Sequence, residues 1–192
     1  MSQYSLVWDL DVFFPGGSGS AEFAQFLQRM ERDVEQFRQA VLAAAGAGAV
    51  ADRGTIAGLV ERMQNVTLML READSFAGCL AAENQHDKKA VQLAGRISSL
   101  NASFTSALTR FDQLLRQIPD GDWAALLQEE PFRAIAYPLD ERRRLAMEKL
   151  APEQESLIAD LAVDGYHGWE EAYNTAVGKF KIDFDENGKS VS

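Results

Sequence analysis

Three long stripes of apolar residues constrain the fold of this chain more than any other feature. The first runs from Phe23 to Leu42, the second from Ile56 to Leu80 and the third from Ala90 to Leu115. Steps of three and four residues place apolar side chains on one face of an α-helix. None of these helices is stable unless it packs on the others. The stripes therefore predict an all-α fold, with a long antiparallel helical hairpin or bundle at about residues 18–118.

Helix-breaking residues set the limits of the three stripes. Ser20 follows a Pro-Gly-Gly-Ser segment and is a good N-cap for the first helix. The other predicted limits are an end near Gly46 or Gly48, a second start at Thr55, a polar break at Asn84 to Asp87, and a stop at Ile118-Pro119-Asp120-Gly121. The links between the long helices are therefore short, as in a bundle.

The rest of the chain predicts shorter helices and a terminal strand, which complete a single helical domain over residues 1–192. The helices are expected at about 122–177, around Asp122–Glu129, Leu139–Leu150, Pro152–Ala162 and Gly165–Val177. At about 179–192, Phe180, Ile182 and Phe184 alternate with polar residues, and Asn187-Gly188 is a strong turn signal. We expect a short β-strand or hairpin there, begun in this chain and continued in a longer protein.

Composition excludes several classes of partner. The chain has 19 Lys and Arg against 29 Asp and Glu, a net charge of −10. Such an acidic surface repels phosphate backbones and anionic membranes. The single cysteine, Cys79, lies in a helical pattern and is interpreted as a small buried hydrophobe, which fits a reducing compartment. The N-terminus lacks a secretory signal pattern, so we expect a soluble cytoplasmic protein that binds neither nucleic acid nor membranes.

The sequence lacks the H-E-x-x-H motif of zinc peptidases, in which two imidazoles share a helix face with a carboxylate base. Its two histidines are His86, in a polar break, and His167, near Glu170 and Glu171. A second histidine is missing from either position. We therefore predict no catalytic, cofactor-binding or metal-ligating residue in this chain.

Asp9 and Asp11 imitate the D-x-D motif of haloacid-dehalogenase-type phosphatases, whose first carboxylate is a nucleophile. That motif needs a parallel sheet, whereas the following segments are helical. The preferred interpretation is an extended leading segment whose aromatic residues pack on the bundle.

Asp183, Asp185, Asn187 and Gly188 match the first half of an EF-hand calcium loop. The preceding residues alternate as in a strand, and Ser190 stands where such loops usually have an apolar residue. A hairpin turn is therefore the preferred interpretation, with calcium binding as the alternative.

Two further patterns leave a function open. Arg142, Arg143 and Arg144 follow two acidic residues at helical spacing, which is typical of a solvated face. Alternatively, one of them binds a substrate carboxylate or pairs across a domain interface. Trp169 and Tyr173 lie four residues apart, as in a core or an interface, or in a ligand platform.

The order of segments resembles the N-terminal region of oligoendopeptidase F-like proteins, zinc metallopeptidases of the M3 class. The most specific part is PLDERRRLAMEKLAPEQESLIADLAVDGYHGWEEAYNTAVGKF, with an L-x-E-R helix start, a Pro-x-x-E turn and a D-G-x-x-x-W-x-x-x-Y helix. Weaker likenesses are Trp8-Asp9-Leu10 and the helical text SFAGCLAAENQHDKKAVQLAGRISSL.

The resemblance implies that this chain forms part of the wall of a cleft for short peptides and is inactive alone. The parent protein would hydrolyse oligopeptides with zinc bound in a separate catalytic domain, which is absent here and would be this domain's partner. No family site residue is carried over, because the H-E-x-x-H motif is missing. The main alternative is a stand-alone helical module that binds another protein.

Overall fold

The structure is a computed structural model that describes residues 9–48, 50–84, 86–150, 152–162, 165–166, 168–179, 184–186 and 189–191. The chain divides into two compact units, Met1–Met147 and Glu148–Ser192. The single domain expected over residues 1–192 stays a prediction, since compact units need not be separately folding domains.

Three long helices form the bundle of the first unit. They are α1 (Ala21–Gly46), α2 (Arg53–Glu83) and α3 (Lys88–Gln117), and each contacts the other two. The predicted helical bundle is confirmed. Ser20 Oγ accepts a hydrogen bond from the Phe23 amide at 3.2 Å, as expected of the cap of α1.

The second helix begins at Arg53, two residues before the predicted Thr55. The reason is Asp52, which is the N-cap. One of its carboxylate oxygens accepts from the Thr55 amide at 3.0 Å and the other from the Thr55 hydroxyl at 2.7 Å. These hydrogen bonds lower the pKa of Asp52, because they stabilise the ionised carboxylate. Thr55 therefore lies inside the first turn that it helps to cap.

The core of the bundle contains two groups of phenylalanine rings. Near the start of α1, the centre of the Phe14 ring lies 4.9 Å from the ring centres of Phe23 and Phe76. Farther along, the Phe37 ring lies 5.3 Å from Phe104 and 6.1 Å from Phe111. Such tilted and edge-on pairs are favourable beyond the area that they bury. The predicted stripes thus meet in one core.

The leading segment differs from the predicted extended conformation where it is described. Leu10–Val12 is a 3₁₀ turn, and Phe14, two residues beyond it, is buried against the bundle. The predicted aromatic packing therefore holds for Phe14, whereas Phe13 is exposed. Trp8 lies outside the described residues.

Shorter elements complete the first unit. They are α4 (Asp120–Leu126), a 3₁₀ turn (Phe132–Ile135) and α5 (Ala136–Glu148). The predicted helices at Asp122–Glu129 and Leu139–Leu150 are shifted toward the N-terminus by two or three residues. Pro119 is the N-cap of α4, so Asp120 already lies in its first turn. The buried side chains of Phe132 and Leu139 fix the turn and α5.

The second unit contains α6 (Pro152–Ala162), which has the predicted limits, and α7 (Gly168–Lys179), which begins three residues later than predicted. Phe184–Glu186 and Lys189–Val191 are two strands, β1 and β2, that pair antiparallel with Asp185 opposite Ser190. The predicted turn at Asn187-Gly188 and strand residues 180–183 lie outside the described residues. Among the helices that are described, none has the length and apolarity to cross a bilayer.

Candidate interaction surfaces

The histidines do not form a metal site within the described residues. The exposed His86 donates its backbone N–H to Asn84 Oδ1 at 3.0 Å, so it belongs to the turn between α2 and α3. His167 lies outside the described residues, as do the side chains of Glu170 and Glu171. No group of three His, Cys, Asp or Glu residues that could hold a metal ion occurs in the part of the chain that the structure describes.

The two aspartates of the D-x-D pattern bind the backbone of their own turn. Asp9 Oδ1 accepts from the Asp11 amide at 3.1 Å, and Asp11 Oδ1 accepts from the Gly16 amide at 2.8 Å. Gly16 has φ +90°, a conformation that costs little only for glycine. Both carboxylates therefore have a structural role that explains the pattern without a phosphoryl acceptor.

Most residues of the possible calcium loop lie outside the described residues. Asp185 lies in β1, whereas Asp183, Asn187 and Gly188 lie outside the described residues. The hairpin turn stays the preferred prediction, and calcium binding stays its alternative. Cys79 is half-buried on α2 and forms no disulfide.

Arg143 is the buried arginine among the three on α5, with a relative exposure of 7%. Its guanidinium donates to the carbonyl oxygens of Leu115 at 3.1 Å and Ile118 at 2.7 Å, and to Asp120 Oδ1 at 2.7 Å. The last carbonyls of a helix lack partners within the helix and attract cations. Arg143 therefore joins α5 to the C-terminal end of α3.

Trp123 of α4 extends the contacts of Arg143. The guanidinium carbon lies 5.3 Å from the centre of the indole ring, within the range of a cation–π interaction. The indole N–H donates to Asp140 Oδ1 at 2.8 Å. Three elements, α3, α4 and α5, are thus held together by a buried cation and one aromatic ring. Sequence alone did not distinguish Arg143 from its neighbours, because the choice depends on which face of α5 is buried.

The neighbouring arginines have simpler contacts. Arg142 Nε lies 2.5 Å from Asp112 Oδ1 of α3, and Arg144 is paired with Glu141 on the exposed face of α5 at 2.6 Å. The hydrogen bond from Arg144 lowers the pKa of Glu141. The predicted solvated face therefore describes Arg144. Arg142 and Arg143 instead connect elements within the first unit.

An apolar groove of about 540 Å³ lies in the first unit. Residues from α2, α3 and α5 and the turn before α5 line it; they are Met63, Gln64, Thr67, Leu68, Arg71, Leu108, Ile135, Pro138, Leu139 and Arg142. Leu68 is 67% exposed, so most of its side chain faces solvent. Periodicity did not reveal this groove, because residues between two packed faces of a helix carry no distinct spacing.

The second unit exposes large apolar side chains on α6 and α7. Trp169 and Tyr173 of α7 are 73% and 67% exposed, and Val177 continues their four-residue spacing. On α6 the exposed apolar residues are Leu157, Ile158 and Leu161. The core interpretation of Trp169 and Tyr173 is therefore wrong for this chain, and the alternatives of an interface or a ligand platform stay open. Exposed apolar groups in such density mark interaction sites.

Comparison with known proteins gives one match. Residues 115–182 match the family model of the N-terminal region of M3 peptidases, described as oligopeptidase F, over about a third of the chain. No curated protein and no solved structure matches. The matched segment begins at Leu115, whose carbonyl accepts from Arg143, and continues through α4 to α7. The predicted resemblance is confirmed over these residues: from 115 to 182, the chain is similar to the N-terminal domain of oligopeptidase F-type M3 peptidases.

Proposed function

We propose that this chain is the non-catalytic N-terminal domain of a zinc-dependent oligopeptidase F-like peptidase and forms part of the wall of a cleft for short peptides. The observation that carries the proposal is the match of residues 115–182 to the N-terminal family model. Hydrolysis of oligopeptides belongs to the parent protein, in the cytoplasm.

The exposed apolar residues of the second unit support this proposal. A helix row such as Trp169, Tyr173 and Val177 gains about 25 cal/mol for each Å² that a partner removes from water. The partner in this proposal is the catalytic domain of the same parent chain, which the C-terminal strands β1 and β2 would precede. The match ends at residue 182, just before β1.

Zinc does not fit the described residues of this chain, because they contain no cluster of three potential ligands. In this proposal the metal is held by an H-E-x-x-H segment of the catalytic domain. This chain would form part of the wall of the cleft and would supply no ligand to the metal.

The gene beyond codon 192 provides the first test. The proposal predicts an open reading frame that continues into an H-E-x-x-H segment. A stop codon directly after Ser192 would refute it.

An assay with a fluorogenic oligopeptide provides the second test. The chain alone, supplied with zinc, is expected to show no hydrolysis above the buffer control, whereas a chain extended through the H-E-x-x-H segment hydrolyses the peptide. Stoichiometric zinc in the short chain, or hydrolysis by it, would contradict the proposal.

The second candidate is a stand-alone helical module that binds a protein partner. The groove along α2 favours it, because this concave apolar surface lies in the first unit, and the lining residues that come from α2 and α3 lie outside the matched segment. A native gene that ends at Ser192 would favour this function.

A further inference from the structure

The groove along α2 has a charge pattern that differs from that of the whole chain. Among the residues that the structure describes, its charged lining residues are Arg71 and Arg142, and none is acidic. Arg142 is neutralised by Asp112 at 2.5 Å. Arg71 is exposed and forms no ion pair within 4 Å with any residue that the structure describes. One unmatched positive charge therefore borders an apolar groove in a chain of net charge −10.

The shape of the groove suits a helix. Met63, Thr67 and Arg71 follow one another at four-residue steps on α2, and Gln64 and Leu68 lie beside them. Eight residues of helix rise about 12 Å, so this wall is about two turns long. The opposite wall consists of three residues of α5, namely Pro138, Leu139 and Arg142. A further helix packs naturally in a groove between two helices.

We propose that the groove binds an amphipathic helix of a protein partner that presents an apolar ridge to Leu68 and a carboxylate to Arg71. The apolar ridge would cover Leu68, Leu108 and Pro138, which supplies most of the binding free energy. The carboxylate would pair with the guanidinium of Arg71, which sets the direction and the specificity of docking. The inference holds whether or not the chain belongs to a longer peptidase.

Two synthetic peptides of identical leucine pattern test this proposal on the full chain. Each is a helix of about 16 residues with leucines on one face, and the other face carries glutamates in one peptide and lysines in the other. The net charge of the chain attracts the lysine peptide at long range. We expect the opposite preference in fluorescence anisotropy, with the glutamate peptide bound at least about tenfold more tightly.

Two variants assign that preference to the groove. Arg71→Glu is expected to abolish or reverse the preference for the glutamate peptide. Leu68→Asp is expected to weaken binding of the glutamate peptide by about tenfold or more. Both residues are exposed, so the variants should fold. Matched controls are Arg32→Glu on α1 and Val91→Asp on α3, which are also exposed and lie outside the groove. These controls should bind like the unmodified chain.

Three results would overturn the proposal. The first is equal or tighter binding of the lysine peptide, or no binding of either. The second is an unchanged preference in Arg71→Glu. The third is another occupant: dodecanoate that displaces the glutamate peptide from the unmodified chain, and whose binding is lost in Arg71→Glu, would replace the proposal with a fatty-acid site. Self-association that Leu68→Asp abolishes would replace it with a second copy of this chain.

Discussion

The long bundle and the pair α6 and α7 use their apolar residues in opposite ways. In α1, α2 and α3 the stripes are buried, and Phe37 and Phe111 are 0% exposed. In α6 and α7 the large apolar side chains that the structure describes are exposed, and Trp169 is 73% exposed. The same kind of pattern, apolar residues at helical spacing, therefore completes a core in one unit and forms an open surface in the other. The difference indicates that α1, α2 and α3 bury their apolar faces against one another, while α6 and α7 present apolar side chains that a partner could cover.

The largest expected effect is a loss of packing in the bundle. Phe37→Ala removes a ring that contacts Phe104 and Phe111, and should lower the free energy of unfolding by about 3–5 kcal/mol. Urea denaturation followed by circular dichroism measures the change. The matched variant Tyr173→Ala in α7 should cost less than about 0.5 kcal/mol, since its ring is exposed. Equal losses of unfolding free energy in the two variants would contradict the difference between the buried bundle and the exposed α7.

The second effect concerns the joint between α3, α4 and α5. Arg143→Met keeps much of the volume of the side chain and removes its donors, leaving the Leu115 and Ile118 carbonyls without them. We expect a loss of about 2–4 kcal/mol, because hydrogen bonds to a charged group are strong and buried acceptors are costly to leave unpaired. Arg144→Met is the control, with a loss below about 1 kcal/mol for an exposed ion pair. If Arg143→Met loses no more stability than Arg144→Met, Arg143 does not hold α3, α4 and α5 together.

A smaller effect is expected at the start of the bundle. Ser20→Ala removes the hydroxyl that accepts from the Phe23 amide, and N-cap losses of this kind cost about 1 kcal/mol. Ser20→Asn should restore most of the stability, because it keeps an acceptor at the cap. The same urea titration measures both variants. If Ser20→Ala is neutral, or Ser20→Asn is no better, the hydroxyl does not act as a cap.

The smallest effect is a dependence of stability on pH. Hydrogen bonds from Arg38 and Gln39 lower the pKa of Glu35 to about 2 from its ordinary value of 4.5. A carboxyl group with a lower pKa in the folded state stabilises the fold above its unfolded pKa, and this contribution is lost as pH falls toward 2. Glu35→Gln should therefore reduce the fall in urea midpoint between about pH 6 and pH 2.5. An identical pH profile in the variant would contradict the assignment.

Sequence reasoning predicted the helices of this fold better than its surfaces. Helix spacing and caps such as Ser20 are local, so they predicted α1 and the limits of α6 correctly. The start of α2 was misplaced because Asp52 and Thr55 share one cap, and both are plausible starts by composition. The extended leading segment was wrong at Leu10–Val12, where aspartates stabilise a turn.

The candidate surfaces were less accessible to sequence reasoning, for a physical reason. Arg143 differs from Arg142 and Arg144 only through tertiary packing, which decides which side chain meets the carbonyls of α3. Likewise, the aromatic pair Trp169 and Tyr173 has the spacing of a core row, and only the fold determines that the row is exposed. The family resemblance over residues 115–182 pointed to a peptidase, whereas helical spacing predicted only helices.

Hydrogen exchange of α7 tests the central comparison most directly. The chain alone is compared with the same chain extended through the H-E-x-x-H segment of its parent, by mass spectrometry of peptides from α2 and from Gly168–Lys179. The account predicts that amides of α7 exchange at least about tenfold more slowly in the extended chain, while those of α2 are unchanged. Equal exchange of α7 in the two chains would contradict the proposal that its exposed apolar row is an interface with the catalytic domain.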